Sequence, residues 1–455
     1  MEELWGYTGL AAEKLREAGA RPGDLIAVER PGAPRVTGIL MPRYELESRP
    51  ILVVKLPNGY NIGFRVTEDT RIEVVERRER AGKPGVPAPL AEPPARLPRE
   101  RVVIVGTGGT IASRIDYETG AVNPYMDAEE IMQAVPEVLR YARIDAVELF
   151  RLFSEDMTPS HWERIAGEVA RLIEKGYDGV VVAHGTDTMH YTAAALSFAF
   201  HSGLPVPVVL TGAQRSSDRP SSDAAFNLAA SVLVAARAPF AEVVIVMHGE
   251  TGDTYALAHR GTRARKMHTS RRDAFQSINS VPLAMVWPDR GEIVVLDKKY
   301  RRRGEHDLVL ENGFDDRVAL IKYYPGMGEE LIEFLVDRGY HGVVIEGTGF
   351  GHVANRLIPT IQRAVEEGVA VVITSQTLFG RVNLNVYSTG RRMLRAGVIP
   401  GEDMTPETAY VKLSWVLHRT RDPAEVRRLM LTPLAGEISE RHSLRLYPRW
   451  YHGPA

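Results

Sequence analysis

The chain has 455 residues, of which 44% are hydrophobic and 25% charged, as in an average soluble globular protein. Its formal net charge of −2 excludes a global basic field that would attract nucleic acid or membranes, and its lack of cysteine excludes thiol catalysis, disulfides and cysteine–zinc sites. The N-terminus MEELWGYTGLAAEKL has no signal-peptide pattern, and no apolar run approaches the roughly 18 residues of a membrane span. We therefore expect a cytoplasmic protein with no contact to a membrane.

The first 80 residues predict a small β-barrel or sheet module. A short helix, LAAEKLREAG, ends at Gly19, and four β-rich runs follow it: DLIAVE, RVTGILM, ILVVKL and RIEVVE. Residues 81–99 are expected to form an extended linker, because six prolines between residues 82 and 98 exclude a helix or a central strand. The module shows no pattern typical of catalysis.

From residue 100 the pattern becomes an alternation of strands and helices. The runs RVVIVG, IDAVELF, GVVVA, VPVVL and EVVIVM are continuously apolar, which is typical of parallel strands buried on both faces. Between the second and third runs, a helix is predicted to begin at Thr158-Pro159. The alternation favours an α/β fold in which helices cover both faces of an open parallel sheet.

The body divides into two predicted domains. Residues 100–290 form the larger α/β domain, and the charged segment 291–314, which contains LDKKYRRRGEHD, is the linker that follows it. The runs RVALIKYY, GVVIEG and AVVITS predict a smaller α/β domain at 315–433. Residues 434–455 remain as a C-terminal tail.

Polar clusters follow three of the predicted strands. In open α/β sheets ligands bind beyond the carboxyl ends of the strands, so these clusters are candidate site residues. RVVIVG is followed by Thr107 and Thr110, IDAVELF by Ser154, Glu155 and Asp156, and GVVVA by Thr186 and Asp187. Because such side chains follow several strands, they indicate a functional site more strongly than any one of these clusters does.

The segment GTGGTIAS lacks the glycine spacing of a dinucleotide site, and no Gly-Lys-Ser/Thr follows it, so it predicts neither a Rossmann fingerprint nor a P-loop. Taken alone, it is more typical of a tight turn in which Thr110 caps a helix. In HGTDTM, Thr186 or Asp187 has the same alternative interpretation as a helix N-cap. A cap needs one such side chain, however, and this turn offers Thr186, Asp187 and Thr188.

A threonine hydroxyl is a poor nucleophile until a base takes its proton, and a lysine oriented by a carboxylate can be that base. The candidate is Lys266 in HRGTRARKMHTSRRDAFQSIN. We expect the neighbouring arginines to repel its charge and lower its pKa. The alternative is a solvated basic loop, and composition alone does not decide between the two.

Together these motifs resemble the L-asparaginase/glutaminase family over residues 100–430, since TGGTIAS, MTPSHW, HGTDTM, LTGAQR and RKMHTSRRDAF occur in the family's order. The resemblance implies an asparaginase-like two-domain, parallel-sheet body. It also implies Thr110 as the nucleophile, a second activating group, and two residues that hold the α-amino and carboxylate end of the substrate. The activating group comprises Thr186, Asp187 and Lys266, and the substrate-binding residues are Ser154 and Glu155.

Two positions depart from the family's pattern. Tyr117 lies near, but not at, the spacing of the family's mobile lid tyrosine. His352 in EGTGFGHV stands where many asparaginases have asparagine, and a packing or capping role is the favoured interpretation.

The N-terminal module and proline-rich linker resemble a narrower family, the D subunits of archaeal glutamyl-tRNA(Gln) amidotransferases. This resemblance implies that the chain hydrolyses glutamine and supplies ammonia to an E subunit, which uses ATP and Mg to convert Glu-tRNA(Gln) to Gln-tRNA(Gln). It implies no cofactor or metal in this chain, a homodimer within a heterotetramer, and tRNA contacts mainly through the E subunit. The alternatives are a free-standing L-asparaginase/glutaminase and an inactive scaffold in a tRNA complex.

Overall fold

The computed structural model describes residues 6–42, 50–56, 61–77, 98–108, 113–115, 122–124, 136–215, 222–441 and 446–447. The chain forms an N-terminal module and two α/β domains. Among the described residues, no helix is both long enough and apolar enough to cross a membrane.

The N-terminal module is a helix packed on an antiparallel sheet. Helix α1 (Gly9–Ala18) ends at Gly19, whose φ of 62° is the left-handed conformation of a C-cap, as predicted. The five strands have the order β4-β3-β2-β1-β5, so the described residues show a sheet and do not show the closed barrel that the sequence left open. The strands are β1 (Leu25–Arg30), β2 (Ala33–Leu40), β3 (Ile51–Lys55), β4 (Asn61–Arg65) and β5 (Arg71–Glu76).

The larger domain is built on an eight-stranded mixed sheet of order β17-β16-β13-β12-β11-β10-β6-β9. Five neighbouring strands are parallel, as predicted: β9, β6, β10, β11 and β12. The other three, β13, β16 and β17, are antiparallel. The predicted parallel sheet is thus extended at one edge by antiparallel strands, which follow one another without α-helices between them. The strands are β6 (Arg101–Gly108), β9 (Arg143–Leu152), β10 (Gly179–Ala183), β11 (Val208–Thr211), β12 (Val243–His248), β13 (Ala256–Arg260), β16 (Ala284–Trp287) and β17 (Glu292–Val295).

Helices cover both faces of this sheet. Helices α2 (Pro159–Glu174) and α3 (Met189–Ala199) pack on one face, and α4 (Ala224–Arg237) packs on the other. Because side chains alternate along a strand, Val103 of β6 lies in the first core and Val102 in the second. Two short hairpins lie outside the sheet: β7 (Ser113–Ile115) with β8 (Val122–Pro124), and β14 (Ala264–Lys266) with β15 (Phe275–Ser277).

The smaller domain has a four-stranded parallel sheet of order β18-β19-β20-β21. Helix α8 packs against both this sheet and α3 of the larger domain, so the two domains share one hydrophobic core. The strands are β18 (Val318–Lys322), β19 (Gly342–Gly347), β20 (Ala370–Ser375) and β21 (Ile399–Pro400). The helices are α5 (Glu330–Asp337), α6 (Ile358–Glu366), α7 (Ser388–Arg395), α8 (Pro406–Arg419) and α9 (Pro423–Leu431).

Two predicted boundaries fall inside the packed body. Strand β17 extends the large sheet to Val295, five residues beyond the predicted boundary at 290. The start of the predicted tail is also anchored, because the buried Glu437 carboxylate accepts a hydrogen bond from Lys412 Nζ at 2.5 Å. The charged segment 291–314 was interpreted as a linker because the partners of its charges, such as Glu242 for Arg301, are distant in sequence.

Candidate active site

The carboxyl ends of β6, β10 and β11 lie side by side, because the parallel register pairs Ala183 with both Gly106 and Thr211. Thr107 is fully buried at this edge and donates a hydrogen bond to the carbonyl oxygen of Ala183 at 2.9 Å. That bond ties the first strand end to the second. Thr107 therefore has a structural role in holding the strand ends together.

Thr110 and Tyr117 lie outside the described residues. The structure follows β6 as far as Gly108, whose φ of 100° favours glycine. A Cβ at this position would lie 2.3 Å from the carbonyl oxygen of Leu152, so the backbones of β6 and β9 approach too closely for any other residue. Strand β6 thus ends two residues before Thr110 in the sequence, beside the end of β9 that Ser154 follows.

The structure brings Lys266 to the HGTDTM turn. Its Nζ donates hydrogen bonds to Thr186 Oγ1 at 2.8 Å and to Asp187 Oδ1 at 2.7 Å. Thr186 is buried and the Lys266 side chain is 10% exposed, whereas the Asp187 side chain is 69% exposed. The buried hydroxyl of Thr186 and the solvent-exposed carboxylate of Asp187 therefore both accept hydrogen bonds from the Lys266 ammonium group.

The N-cap of α3 is Thr188, so the alternative interpretation of Thr186 or Asp187 as the cap was wrong. The Thr188 hydroxyl makes no capping bond and instead donates to the carbonyl oxygen of Ser154 at 2.5 Å. This bond joins the turn after β10 to the turn after β9. Sequence reasoning did not assign this role to Thr188, although its place at a strand end was a usable signal.

The arginines that flank Lys266 have acidic partners of their own. Arg265 pairs with Glu407 at 2.8 Å, and Arg272 pairs with Asp253 at 2.8 Å. The charge that contacts the Lys266 ammonium is the carboxylate of Asp187. The solvated-loop alternative is wrong, because the Lys266 side chain is mostly buried.

Ser154 and Glu155 lie on the 3-10 turn that follows β9. Ser154 is buried against the turn that leads to Thr186: a Cβ at Gly185 would lie 2.8 Å from Ser154 Cβ and 2.9 Å from its Oγ. Glu155 is exposed on the same turn. The structure thus brings Ser154, Thr186, Asp187 and Lys266 together and leaves Glu155 exposed beside them.

Further residues shape the site without having been predicted. A Cβ at Gly212, in LTGAQR after β11, would lie 2.9 Å from Thr186 Cγ2, so glycine makes room for this threonine. The His184 ring is held between the carbonyl oxygen of Gly185 and the hydroxyl of Thr192. Burial lowers the pKa of His184 to about 4, so the ring that supports the turn is neutral at pH 7.

A cavity of about 500 Å³ opens beside Lys266 and Asp187. Its wall includes two buried polar atoms with no hydrogen-bond partner among the described residues, His190 Nδ1 and Glu407 Oε2. Burial lowers the pKa of His190 to about 4, so its ring is neutral at pH 7. The cavity is large enough for a small polar substrate and borders the turn that carries Thr186.

The sequence is similar to known proteins over most of its length. Residues 101–301 match the family "Asparaginase, N-terminal", 317–430 match "Glutaminase/Asparaginase C-terminal domain", and 20–75 match "GatD N-terminal domain". A protein of Aeropyrum pernix, named as the D subunit of glutamyl-tRNA(Gln) amidotransferase, is 62% identical over 90% of this chain and 96% of its own length. The chain belongs to the family of glutamyl-tRNA(Gln) amidotransferase D subunits.

Other members and solved structures agree with this membership. The Pyrococcus abyssi member of the family is 57% identical over 94% of this chain and 97% of its own length. The L-asparaginase of Thermococcus kodakarensis has a TM-score of 0.68 at 35% identity, covering 75% of this chain and 100% of the asparaginase. L-asparaginase I of Vibrio cholerae has a TM-score of 0.66 at 33% identity, with the same coverage. The asparaginase-like fold expected from the motifs is confirmed.

Proposed function

We propose that this chain hydrolyses glutamine for a tRNA-dependent amidotransferase, with Thr110 as the nucleophile. The observation that carries the proposal is the contact of Lys266 Nζ with both Thr186 Oγ1 and Asp187 Oδ1. A buried hydroxyl bonded to a lysine, which is in turn held by a carboxylate, is an arrangement suited to proton transfer. It lies at the carboxyl edge of the sheet where ligands of open α/β folds bind.

In the proposed reaction, the Thr110 hydroxyl oxygen attacks the carboxamide carbon of glutamine and the hydroxyl proton passes to the leaving nitrogen. The C–N bond breaks, ammonia leaves, and a glutamyl ester of Thr110 remains. Water then attacks the ester, which releases glutamate and restores the hydroxyl. Backbone N–H groups of the turns would stabilise the oxyanion in both steps.

Thr186, Lys266 and Asp187 would move the protons that these steps require. Lys266 is placed to exchange a proton with the Thr186 hydroxyl, and Asp187 orients the ammonium group. Ser154 and Glu155 would bind the α-amino and carboxylate end of glutamine from the turn after β9. This role is supported by the burial of Ser154 against Gly185, next to Thr186.

The ammonia would serve an E subunit that converts Glu-tRNA(Gln) to Gln-tRNA(Gln). Names of relatives such as the Aeropyrum pernix protein support this partner, and the match of residues 20–75 to the GatD N-terminal domain agrees with them. The proposal assigns ATP, Mg and most tRNA contacts to the E subunit and leaves this chain without a cofactor. It also places two copies of this chain in a heterotetramer.

The test is the Thr110→Ala variant in complex with the E subunit. We expect it to form Gln-tRNA(Gln) from ammonium salts at the wild-type rate and to form none from glutamine. The ammonium reaction is the internal control for folding and assembly. Continued use of glutamine by the variant complex would contradict the assignment of Thr110.

A free-standing L-asparaginase is the second candidate, because solved L-asparaginases match three quarters of this chain. The purified chain without partners distinguishes the two. Rapid hydrolysis of asparagine by the chain alone would favour the free enzyme. Slow glutamine hydrolysis that accelerates with the E subunit and Glu-tRNA(Gln) would favour the amidotransferase.

A further inference from the structure

The strand that carries Lys266 is not paired with any strand of the large sheet. Strand β14 has three residues, Ala264–Lys266, and pairs in a two-stranded hairpin with β15. An isolated two-stranded hairpin is marginally stable at best, so other contacts must hold this strand in place. The Lys266 ammonium nevertheless has to remain within hydrogen-bond distance of two separate groups.

Side chains alternate along this segment. Ala264 is buried in the core that includes α3, and Lys266 points to the turn before α3. Arg263 and Arg265, in the opposite phase of the strand, both bind the smaller domain. The segment therefore lies between the two domains. Ala264 and Lys266 face α3 and the turn before it, whereas Arg263 and Arg265 face acidic residues of the smaller domain.

The acidic partners of the two arginines lie at the start of α8 or just before it. Arg263 Nη1 donates to the carbonyl oxygen of Asp403 at 3.0 Å and to its Oδ2 at 3.1 Å. Arg265 Nε donates to Glu407 Oε1 at 2.8 Å. Glu407 lies in the first turn of α8, where the helix dipole also stabilises a carboxylate.

We propose that Glu407 and Arg265 are positioning residues that hold Lys266 in register with Thr186 and Asp187. The proposal rests on the proposed function, because it concerns the same hydrolysis. Arg265 directly precedes Lys266, and both residues of the pair line the cavity that Lys266 and Asp187 border. Oε2 of Glu407 has no partner among the described residues, so one side-chain hydrogen bond fixes this carboxylate to β14.

Glu407→Gln is the decisive variant, since it removes the charge and keeps the shape. A misplacement of a catalytic group by about 1 Å can cost roughly 100-fold in rate, so we expect kcat for glutamine hydrolysis by the assembled complex to fall roughly 10- to 100-fold. KM should change less than about twofold, because the substrate-binding turn is not altered. Glu407→Asp, which restores the carboxylate, should recover part of the rate.

Glu311→Gln is the matched control. Glu311 pairs with Arg419 at the other end of α8, at a distance of 3.7 Å, and its other side-chain partners among the described residues, His201 and Ser202, lie outside β14. The control should leave kcat unchanged even where it lowers stability as much as Glu407→Gln does. Amide hydrogen exchange should increase across residues 262–278 in Glu407→Gln and not in Glu311→Gln, which gives a readout independent of activity.

A double substitution tests the pair itself. If the two residues act through each other, Arg265→Gln should add little to the kcat loss of Glu407→Gln. Equal kcat losses in Glu407→Gln and Glu311→Gln, or a rise in KM at constant kcat, would overturn the positioning role. A wild-type complex without glutaminase activity would overturn the proposed function as well, whereas an active wild type and a fully active Glu407→Gln would overturn this inference alone.

Discussion

Replacing Lys266 by methionine keeps the aliphatic stem and removes the ammonium group from Thr186 and Asp187. The buried Thr186 hydroxyl then loses the bond from Nζ, which costs about 1–3 kcal/mol. The lost ion pair adds less than about 1 kcal/mol, because solvent screens the Asp187 side chain, which is 69% exposed. The free energy of unfolding should therefore fall by about 2 kcal/mol.

The effect on glutamine hydrolysis should be far larger. Loss of one member of a catalytic unit typically lowers kcat by about 10⁴-fold or more, which corresponds to over 5 kcal/mol in the activation free energy. Ammonia release by the wild-type and Lys266→Met complexes measures this loss, and urea unfolding of the same proteins measures stability. Ammonium-dependent formation of Gln-tRNA(Gln) should be unchanged, since that reaction bypasses the amidase site.

Double variants decide whether the three residues act as a unit. Adding Thr186→Val or Asp187→Asn to Lys266→Met should cost little more in kcat, because the shared proton-transfer step is already lost. If the kcat losses of the single variants multiplied in the double variants, the three residues would not act as one catalytic unit. A Lys266→Met complex that retained more than a tenth of the wild-type kcat would refute it directly.

Two further predictions concern the turns and the buried histidines. Thr188→Val removes the bond to Ser154, worth about 1 kcal/mol, so KM for glutamine should rise about fivefold; an unchanged KM in a steady-state glutaminase assay would contradict the tie between the two turns. Stability should also depend on pH. Burial lowers the pKa of three histidines from 6.5 to about 4: His184, His190 and His259. The contribution of these neutral rings to the free energy of unfolding is fully present above pH 6.5 and is lost as the pH falls towards 4. The reason is that the unfolded chain binds protons that the folded chain excludes. Acidification across this window should lower the free energy of unfolding by up to about 3 kcal/mol for each histidine. Equal urea-unfolding free energies at pH 7 and pH 4.5 would show that the rings are not buried as neutral groups.

Much of the fold could be predicted from local pattern. The run GVVVA is strand β10 residue for residue, and the helix expected after Thr158-Pro159 is α2. Strands β13, β16 and β17 were missed, because short antiparallel segments at a sheet edge lack the long apolar runs of buried parallel strands. Their pairing depends on neighbouring strands, which a local pattern does not contain.

The candidate site was likewise predictable from the sequence only in part. Residue type and position after a strand identified Thr186 and Asp187 as candidates, and the order of the motifs indicated the family, since both are properties of the linear chain. Only the tertiary structure decided that Lys266, 80 positions from Thr186, reaches its hydroxyl, and that Thr188 begins the helix in place of Thr186 or Asp187. The tertiary structure also decided which carboxylate pairs with each cation. Arg265 donates a hydrogen bond to Glu407, 142 positions away, and Lys266 donates one to Asp187. Local sequence determines which groups are present at a strand end, whereas hydrogen bonds and ion pairs between distant segments depend on distances that only the folded chain defines.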